Sequence, residues 1–428
     1  MESKISISKL DSFTSLNIAD FILSNVGKEM VIAFEDVLCC PHFIVPIYAL
    51  IDFYRVRGEK INILAPQYSD VKRILFNESN DRAFGRVFRF SSTNEYLEIF
   101  NKVQKEVITL PKIGSGFRVA FEWCISEIMD NVVLHSGSSA GYFMVQYLQN
   151  ERLLKTCVFD LGQGVLASFK NSQYSPSNSI EAVKLAVEPN VTSGNGQGNG
   201  LYGLREIVKQ SSNGRLQITS GDGKYVLSTG GKTMEVSEKA DVIAGFPGAT
   251  SVDFQVVVDD SLSIDRVFED GAPTTDLWLE DHELDEATIS IKVLEIVPGT
   301  ISRGFGCEIR NAVENFIDVE RKRVIIDFDG VDLCSSAFVD EFIGKLLVKY
   351  QFVNFARMIS FKSLGGLPAI LINHSIKQRM SESTPIESAV NDSVGTVNIG
   401  PTGPVPIPAA KEKDLQREMK PTIVEAIQ

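Results

Sequence analysis

Three short stretches between Arg118 and Lys209 carry residues whose types and spacing could act on a phosphate or a purine. In the first, Glu127, Asn131 and His135 are four residues apart, in a segment where Val119, Ala120, Trp123, Ile128, Met129, Val132 and Val133 recur at helical spacing. The three therefore share one helix face. A carboxamide oxygen in that setting can ligate Mg2+, which takes oxygen ligands and keeps several waters. A carboxylate one turn away can orient or deprotonate an attacking water or hydroxyl. Taken alone, the pattern reads better as a solvated helix face.

The second stretch is Asp160-Leu-Gly162-Gln-Gly164. Gly141–Gln149 and Leu153–Leu161 read as two β-strands around a turn at 149–152, and the second ends in Cys-Val-Phe-Asp160. An aspartate there can accept from the exocyclic amine of adenine, a donor that guanine lacks at the same position. Gly162 and Gly164 let backbone approach a ligand with no Cβ in the way. By itself this motif is a turn. The third stretch places a glycine at every second residue, Gly194 through Gly200, and runs at once into the apolar repeat Leu201-Tyr-Gly-Leu-Arg-Glu-Ile-Val208. Such a loop opening into a helix offers free N–H groups and the positive end of a dipole to phosphates. The alternative, a flexible linker, sits badly with a helix directly behind it.

In this order and spacing the three motifs resemble the GHKL ATPase superfamily: gyrase B, the heat-shock-90 chaperones, mismatch-repair ATPases, histidine kinases and anti-sigma kinases. The resemblance spans Lys112–Val258. It implies ATP and Mg2+ as cofactors, with Asn131 on Mg2+, Glu127 as candidate catalytic base and Asp160 on adenine. It also implies Gly162 and Gly164 lining the base, and Gly196, Gly198, Gly200 and Leu201 at the phosphates. Gly248-Ala-Thr250, just before the apolar run Val252–Val258, resembles the family's last Gly-Thr box, in which the threonine helps to hold adenine. The family usually has the two residues adjacent; here Ala249 intervenes.

Composition narrows the field. A net charge of −13 disfavours broad binding to nucleic acid, whose backbone selects basic surfaces. The six cysteines show no Cys-x-x-Cys spacing and mostly lie in apolar runs, as buried small hydrophobes do. The start of the chain lacks a secretory pattern, and no apolar run reaches membrane-spanning length. The expected compartment is the cytoplasm, with no membrane partner. No pair of the four histidines has metal-ligand spacing. Only His42 precedes the ATPase-like region, and in an α/β setting, which argues against a histidine autokinase.

The expected fold class is α/β: an α+β Bergerat-type ATPase sandwich flanked by STAS-like α/β units. Residues 1–110 read as an N-terminal α/β unit, with strands at Met30–Phe34 and Lys60–Ala65 around a helix at Ile44–Tyr54. Residues 111–260 are the ATPase-like region, 261–286 an acidic linker, 287–379 a second α/β unit, and 380–428 a Pro/Ser-rich tail. In the second unit Ile289–Val297 reads as a strand, Gly304–Phe316 as a helix, Val324–Phe328 as a strand and Phe338–Val348 as a helix.

That unit, with Ser302-Arg303-Gly, Val324–Asp329, Cys334-Ser335-Ser336 and Phe338-Val-Asp-Glu341, resembles the STAS-like domains that accompany bacterial GHKL proteins. Anti-sigma-antagonist relatives carry a phosphorylatable serine in this loop, which implies Ser335 or Ser336 as phosphoacceptor, although Cys334 stands where an aspartate is common. The plainer reading is that these serines cap the following helix. The N-terminal unit repeats the pattern, with Cys39-Cys-Pro41-His42 at the matching place. The functional expectation is an Mg-ATP-binding switch protein of the bacterial anti-sigma type, acting as a serine/threonine kinase or a slow ATPase. The other reading is a catalytically inert, nucleotide-gated adaptor. Protein partners are expected through the STAS-like domain, and a homodimer is compatible with both readings.

Overall fold

Short apolar strands alternate with amphipathic helices, and the chain is a mixed α/β protein. The computed structural model describes residues 3–76, 82–191, 200–230, 235–259, 262–267 and 277–382. Two compact units divide the chain, Met1–His282 and Glu283–Gln428. No helix among the described residues is long and apolar enough to cross a membrane.

The first unit opens with parallel strands β1 (Ser3–Ile7), β2 (Met30–Phe34) and β3 (Ile61–Leu64), in that order in the sheet. Helices α1 (Thr14–Leu23) and α2 (Pro41–Val56) connect them. β2 reads Met-Val-Ile-Ala-Phe without a polar residue, as a central parallel strand should. α2 starts on Pro41, where a missing N–H leaves no helical hydrogen bond unmade. Next come α3 (Asp70–Leu75), β4 (Phe88–Phe90), α4 (Thr93–Val107), α5 (Ser115–His135), β5 (Gly141–Leu148) and β6 (Leu153–Asp160). After them follow α6 (Gly164–Ser168), α7 (Ser179–Ala186), α8 (Gly200–Gln210), β7 (Arg215–Ser220), β8 (Gly223–Ser228), β9 (Glu235–Lys239) and β10 (Thr250–Val257). Strands β4 to β10 form a seven-stranded sheet in the order β4-β5-β6-β10-β7-β8-β9, antiparallel throughout.

Strand periodicity gives this sheet two faces. Leu154 and Val158 of β6, with Val252, Phe254 and Val256 of β10, join the core built on α4, α5 and α8. Cys157 and Phe159 of β6, with Tyr142 and Met144 of β5, face the other way and pack with α2. The N-terminal segment thus covers the second face of the large sheet, and β4, which precedes residue 110, is an edge strand of that sheet. Tyr142 reinforces the contact by donating to Asp52 of α2 at 2.8 Å. α5 is fixed by Phe117 and Phe121, stacked with ring centroids 5.9 Å apart, and by Phe121 meeting Phe254 edge-on at 5.9 Å.

The acidic stretch expected to be a linker is partly built into the fold. Leu262 and Ile264 are buried in the main core, and Ser263 exchanges hydrogen bonds of 2.7 and 2.9 Å with Gln210 of α8. Further on, α9 (Leu277–His282) ends the first unit.

In the second unit β11 (Glu283–Asp285) pairs antiparallel with β12 (Thr288–Lys292), and β12, β13 (Arg323–Asp327) and β14 (Ile359–Lys362) run parallel, in the order β11-β12-β13-β14. Ile289–Val297 was expected to be a single strand. It stops at Lys292, whose neighbour Asp327 is the last residue of β13, and α10 (Val293–Ile296) turns Val293 and Ile296 into the core instead. α11 (Arg303–Asp318), α12 (Ser336–Val339), a π-helical turn at Asp340–Gly344, α13 (Lys345–Met358) and α14 (Gly366–Glu382) complete the unit. The helix expected at Phe338–Val348 is therefore the middle of a longer run, with a break at Gln351 (φ 61°).

Candidate functional site

One cross-strand row on the α5-facing side of the large sheet organises the site. Antiparallel register places Gly141, Asp160, Thr250, Ser220 and Gly223 side by side across β5, β6, β10, β7 and β8. The row lies at the ends of β6, β7 and β10, where the chain turns away and leaves polar side chains without a further strand residue over them. Asp160 and Thr250, 90 positions apart in sequence, become direct neighbours. Ala249 sends its side chain into the core shared with α2 on the opposite face, so the residue after it, Thr250, points to the same side as Asp160. The intervening alanine therefore leaves the threonine where a nucleotide reading needs it.

Asp160 is buried, and its Oδ1 accepts the Gly162 N–H at 2.8 Å. Burial pushes this carboxyl up to about 7, against the lowering effect of that hydrogen bond. Among the described residues its Oδ2 accepts no hydrogen bond, which leaves it open as an acceptor. The turn after Asp160 is tightly fitted. The N–H of Gln163 donates to the Ser136 carbonyl at 2.8 Å, and its side-chain amide donates to the His135 carbonyl at 2.7 Å, tying the turn to the end of α5. A Cβ on Gly162 would run into the Ser136 carbonyl and stand 2.6 Å from Asp160 Oδ1. Gly164 has φ +82°, and a Cβ there would lie 2.9 Å from the Gly248 carbonyl oxygen. Glycine is required at both positions by close backbone approach.

α5 forms the adjoining wall. Glu127 is raised by burial and, to a smaller degree, by the charge of Asp130, whose carboxylate accepts from Tyr96 at 2.6 Å. Gly200, the first residue of α8, lies so close that a Cβ on it would be 2.5 Å from Glu127 Oε2. The helix start expected at the phosphates thus abuts the candidate base, although 73 residues separate them in the chain. Leu201 packs half-buried against the main core. Asn131, one turn beyond Glu127, is half-buried and its side chain makes no hydrogen bond among the described residues, which leaves its oxygen available to a cation. His135 is exposed and contributes only its carbonyl. Gly196 and Gly198 lie outside the described residues.

Ser220 was not legible as a site residue. Its hydroxyl accepts from the Val165 N–H at 2.8 Å and lies 2.9 Å from Thr250 Oγ1, which bonds in turn to the Gly248 carbonyl at 3.2 Å. No sequence signal marked it: it is a serine at the end of an alternating strand, ahead of a Gly-Asp-Gly turn.

In the second unit Ser335 is the N-cap of α12, accepting from the Phe338 N–H at 3.0 Å and donating to the Ile301 carbonyl at 2.6 Å. Ser336, the first helical residue, is exposed. Cys334 is buried, which raises its thiol pKa. The expectation that a serine caps this helix is met by Ser335. Asp340 and Glu341 fall in the π-helical turn that follows, and the buried Glu341 gathers Arg303, Arg310 and Lys345 at 3.5, 3.3 and 2.7 Å.

Residues 306–366 match the family model described as a STAS-like domain of unknown function (DUF4325). Among solved structures, the ATP-binding domain of topoisomerase IV from Francisella tularensis, in complex with a small-molecule inhibitor, is similar over 37% of this chain, at 14% identity and a TM-score of 0.21. The chain covers 40% of that structure. No curated protein matches the chain. The second unit therefore contains a STAS-like domain.

Proposed function

We propose that the chain is an Mg-ATP-binding regulatory protein of the GHKL class, a bacterial-type switch that uses ATP for serine/threonine phosphorylation or slow hydrolysis. The observation that carries this reading is the convergence of four distant segments. Asp160 and Thr250 offer acceptors for adenine on one row of the sheet, above a floor of Gly162, Gly164 and Gly248 that no larger residue would fit. Glu127 meets the start of α8 at Gly200, which puts a candidate base beside the helix N-terminus that would hold phosphate. Mg2+ would be held by Asn131 with phosphate oxygens and waters. Gly196 and Gly198 would complete the phosphate contacts. The STAS-like domain supplies the surface for protein partners. A half-buried carboxyl with a raised pKa such as Glu127 suits proton abstraction better than inert binding, which favours chemistry over an adaptor role.

Incubation with γ-labelled ATP and Mg2+ tests the proposal. Label on protein identifies a kinase, and free phosphate identifies an ATPase. Bound nucleotide without either marks an adaptor, and failure to bind ATP overturns the proposal. For the kinase outcome, Ser336 is the better acceptor within this chain. Its hydroxyl is exposed, whereas that of Ser335 is engaged both as donor and as acceptor.

A further inference from the structure

We infer that Phe246 is a positioning residue for the nucleotide site: anchored against α2 on the reverse face of the large sheet, it holds the glycine floor of the site in place. This rests on the nucleotide reading above and adds to it a residue outside the recognised motifs. Phe246 lies between β9 and β10, where residues 240–249 form neither helix nor strand. Its neighbours Gly245 and Pro247 are exposed, whereas Phe246 itself is buried. The ring meets Phe53 of α2 edge-on at 4.8 Å and Tyr54 at 6.1 Å. Gly245 approaches the same place: a Cβ on it would lie 3.4 Å from Leu23 of α1 and 3.7 Å from the Tyr54 hydroxyl. The segment is thus pinned to the N-terminal helices at Phe246.

Two residues on, Gly248 packs against the turn that follows Asp160. A Cβ on it would run into the Gln163 backbone and stand 2.6 Å from the Gly162 carbonyl oxygen. The Gly248 carbonyl also accepts from Thr250 at 3.2 Å. Between ring and floor the backbone is held at both ends. The Ala249 N–H donates to the Phe246 carbonyl at 3.1 Å, and the Ala249 carbonyl accepts the Gly221 N–H at 3.2 Å. A shift at Phe246 is therefore passed to Gly248, and close packing hands it on to Gly162, Gly164 and Thr250. Leu23, Phe53 and Tyr54 belong to the core on the far face of the sheet or to its margin. Through this ring the N-terminal α/β unit sets how firmly the floor is held, and so the affinity of the site.

The test measures the dissociation constant of Mg-ATP for the full chain, at a temperature where every variant is folded. Phe246→Ala should weaken binding about tenfold. Phe246→Leu, which keeps an apolar anchor, should restore most of the loss. Phe53→Ala removes the half-buried partner on α2, away from the site, and should weaken binding about fivefold. It decides the matter if Phe246→Ala folds poorly. Ile44→Val, on the same helix and in the same core, should lower the melting temperature and leave the dissociation constant unchanged. Unchanged affinity in Phe53→Ala and Phe246→Ala, or an equal loss in Ile44→Val, overturns this inference alone, with ATP still bound by the wild type. Wild-type protein that does not bind ATP overturns the nucleotide reading, and this inference with it.

Discussion

Replacing Asp160 with asparagine should make the nucleotide-free protein more stable while removing its ability to take ATP. The carboxyl is raised from 3.8 to about 7 because burial penalises its charge. A raised acid contributes its full stability below its unfolded value and loses it as pH climbs through the folded value. By pH 8 the lost stability is about 4 kcal/mol, at ~1.4 kcal/mol per pKa unit. At pH 5 most of that loss has yet to occur, and the figure is about 1.5 kcal/mol. Asparagine keeps an oxygen for the Gly162 N–H and carries no charge. The melting temperature of Asp160→Asn should therefore exceed that of wild type, and by several degrees more at pH 8 than at pH 5, at roughly 2–4 °C per kcal/mol. Saturating Mg-ATP at pH 8 should stabilise wild type and leave the variant unmoved, since an amide N–H would face the adenine amine. Wild-type affinity should also fall as pH drops below about 7, because the protonated carboxyl must give up its proton to accept from the amine. A variant that is less stable at both pH values, or whose advantage does not change with pH, refutes the assigned burial penalty. A variant stabilised by ATP as wild type is refutes the assignment of Asp160 to the base.

Three further outcomes are expected. Glu127→Gln should bind ATP with near-normal affinity and lose about a hundredfold or more in label transfer or phosphate release, read from γ-labelled ATP; equal turnover would remove Glu127 as base. Gly162→Ala should cost stability by thermal denaturation and abolish binding, because the new methyl meets the Ser136 carbonyl and Asp160; normal melting would show that the turn has room. Ser335→Ala should destabilise the second unit by about 1 kcal/mol through loss of the cap, whereas Ser336→Ala should leave stability within about 0.5 kcal/mol, both measured in denaturant.

Much of the site could be read from sequence because its parts are local. Glu127 and Asn131 are a helical turn apart, Asp160 and its glycines lie within five residues, and a glycine-rich run opening α8 has a recognisable composition. Helical and strand periodicity also located α5, β5 and β6 to within a few residues at each end. What periodicity could not supply was strand pairing. That β10 inserts between β6 and β7, bringing Thr250 and Ser220 beside Asp160, depends on contacts between residues up to 104 positions apart. The same limit hid β4, three residues long, whose partner β5 lies more than 50 residues on. The acidic segment after Val258 misled for a different reason. Its charge dominates its composition, while Leu262 and Ile264, two buried side chains, decide where it runs. In the second unit, periodicity showed strands and helices in the right order, but Ile289–Val297 kept its apolar character through a change from strand to helical turn.

The nucleotide claim is tested most directly by equilibrium dialysis of the full chain against labelled ATP with Mg2+. Saturable binding at one site per chain is expected, displaced by ADP and displaced poorly by GTP. Binding that does not saturate, or saturates equally well with GTP, would contradict an adenine site built on Asp160 and Thr250.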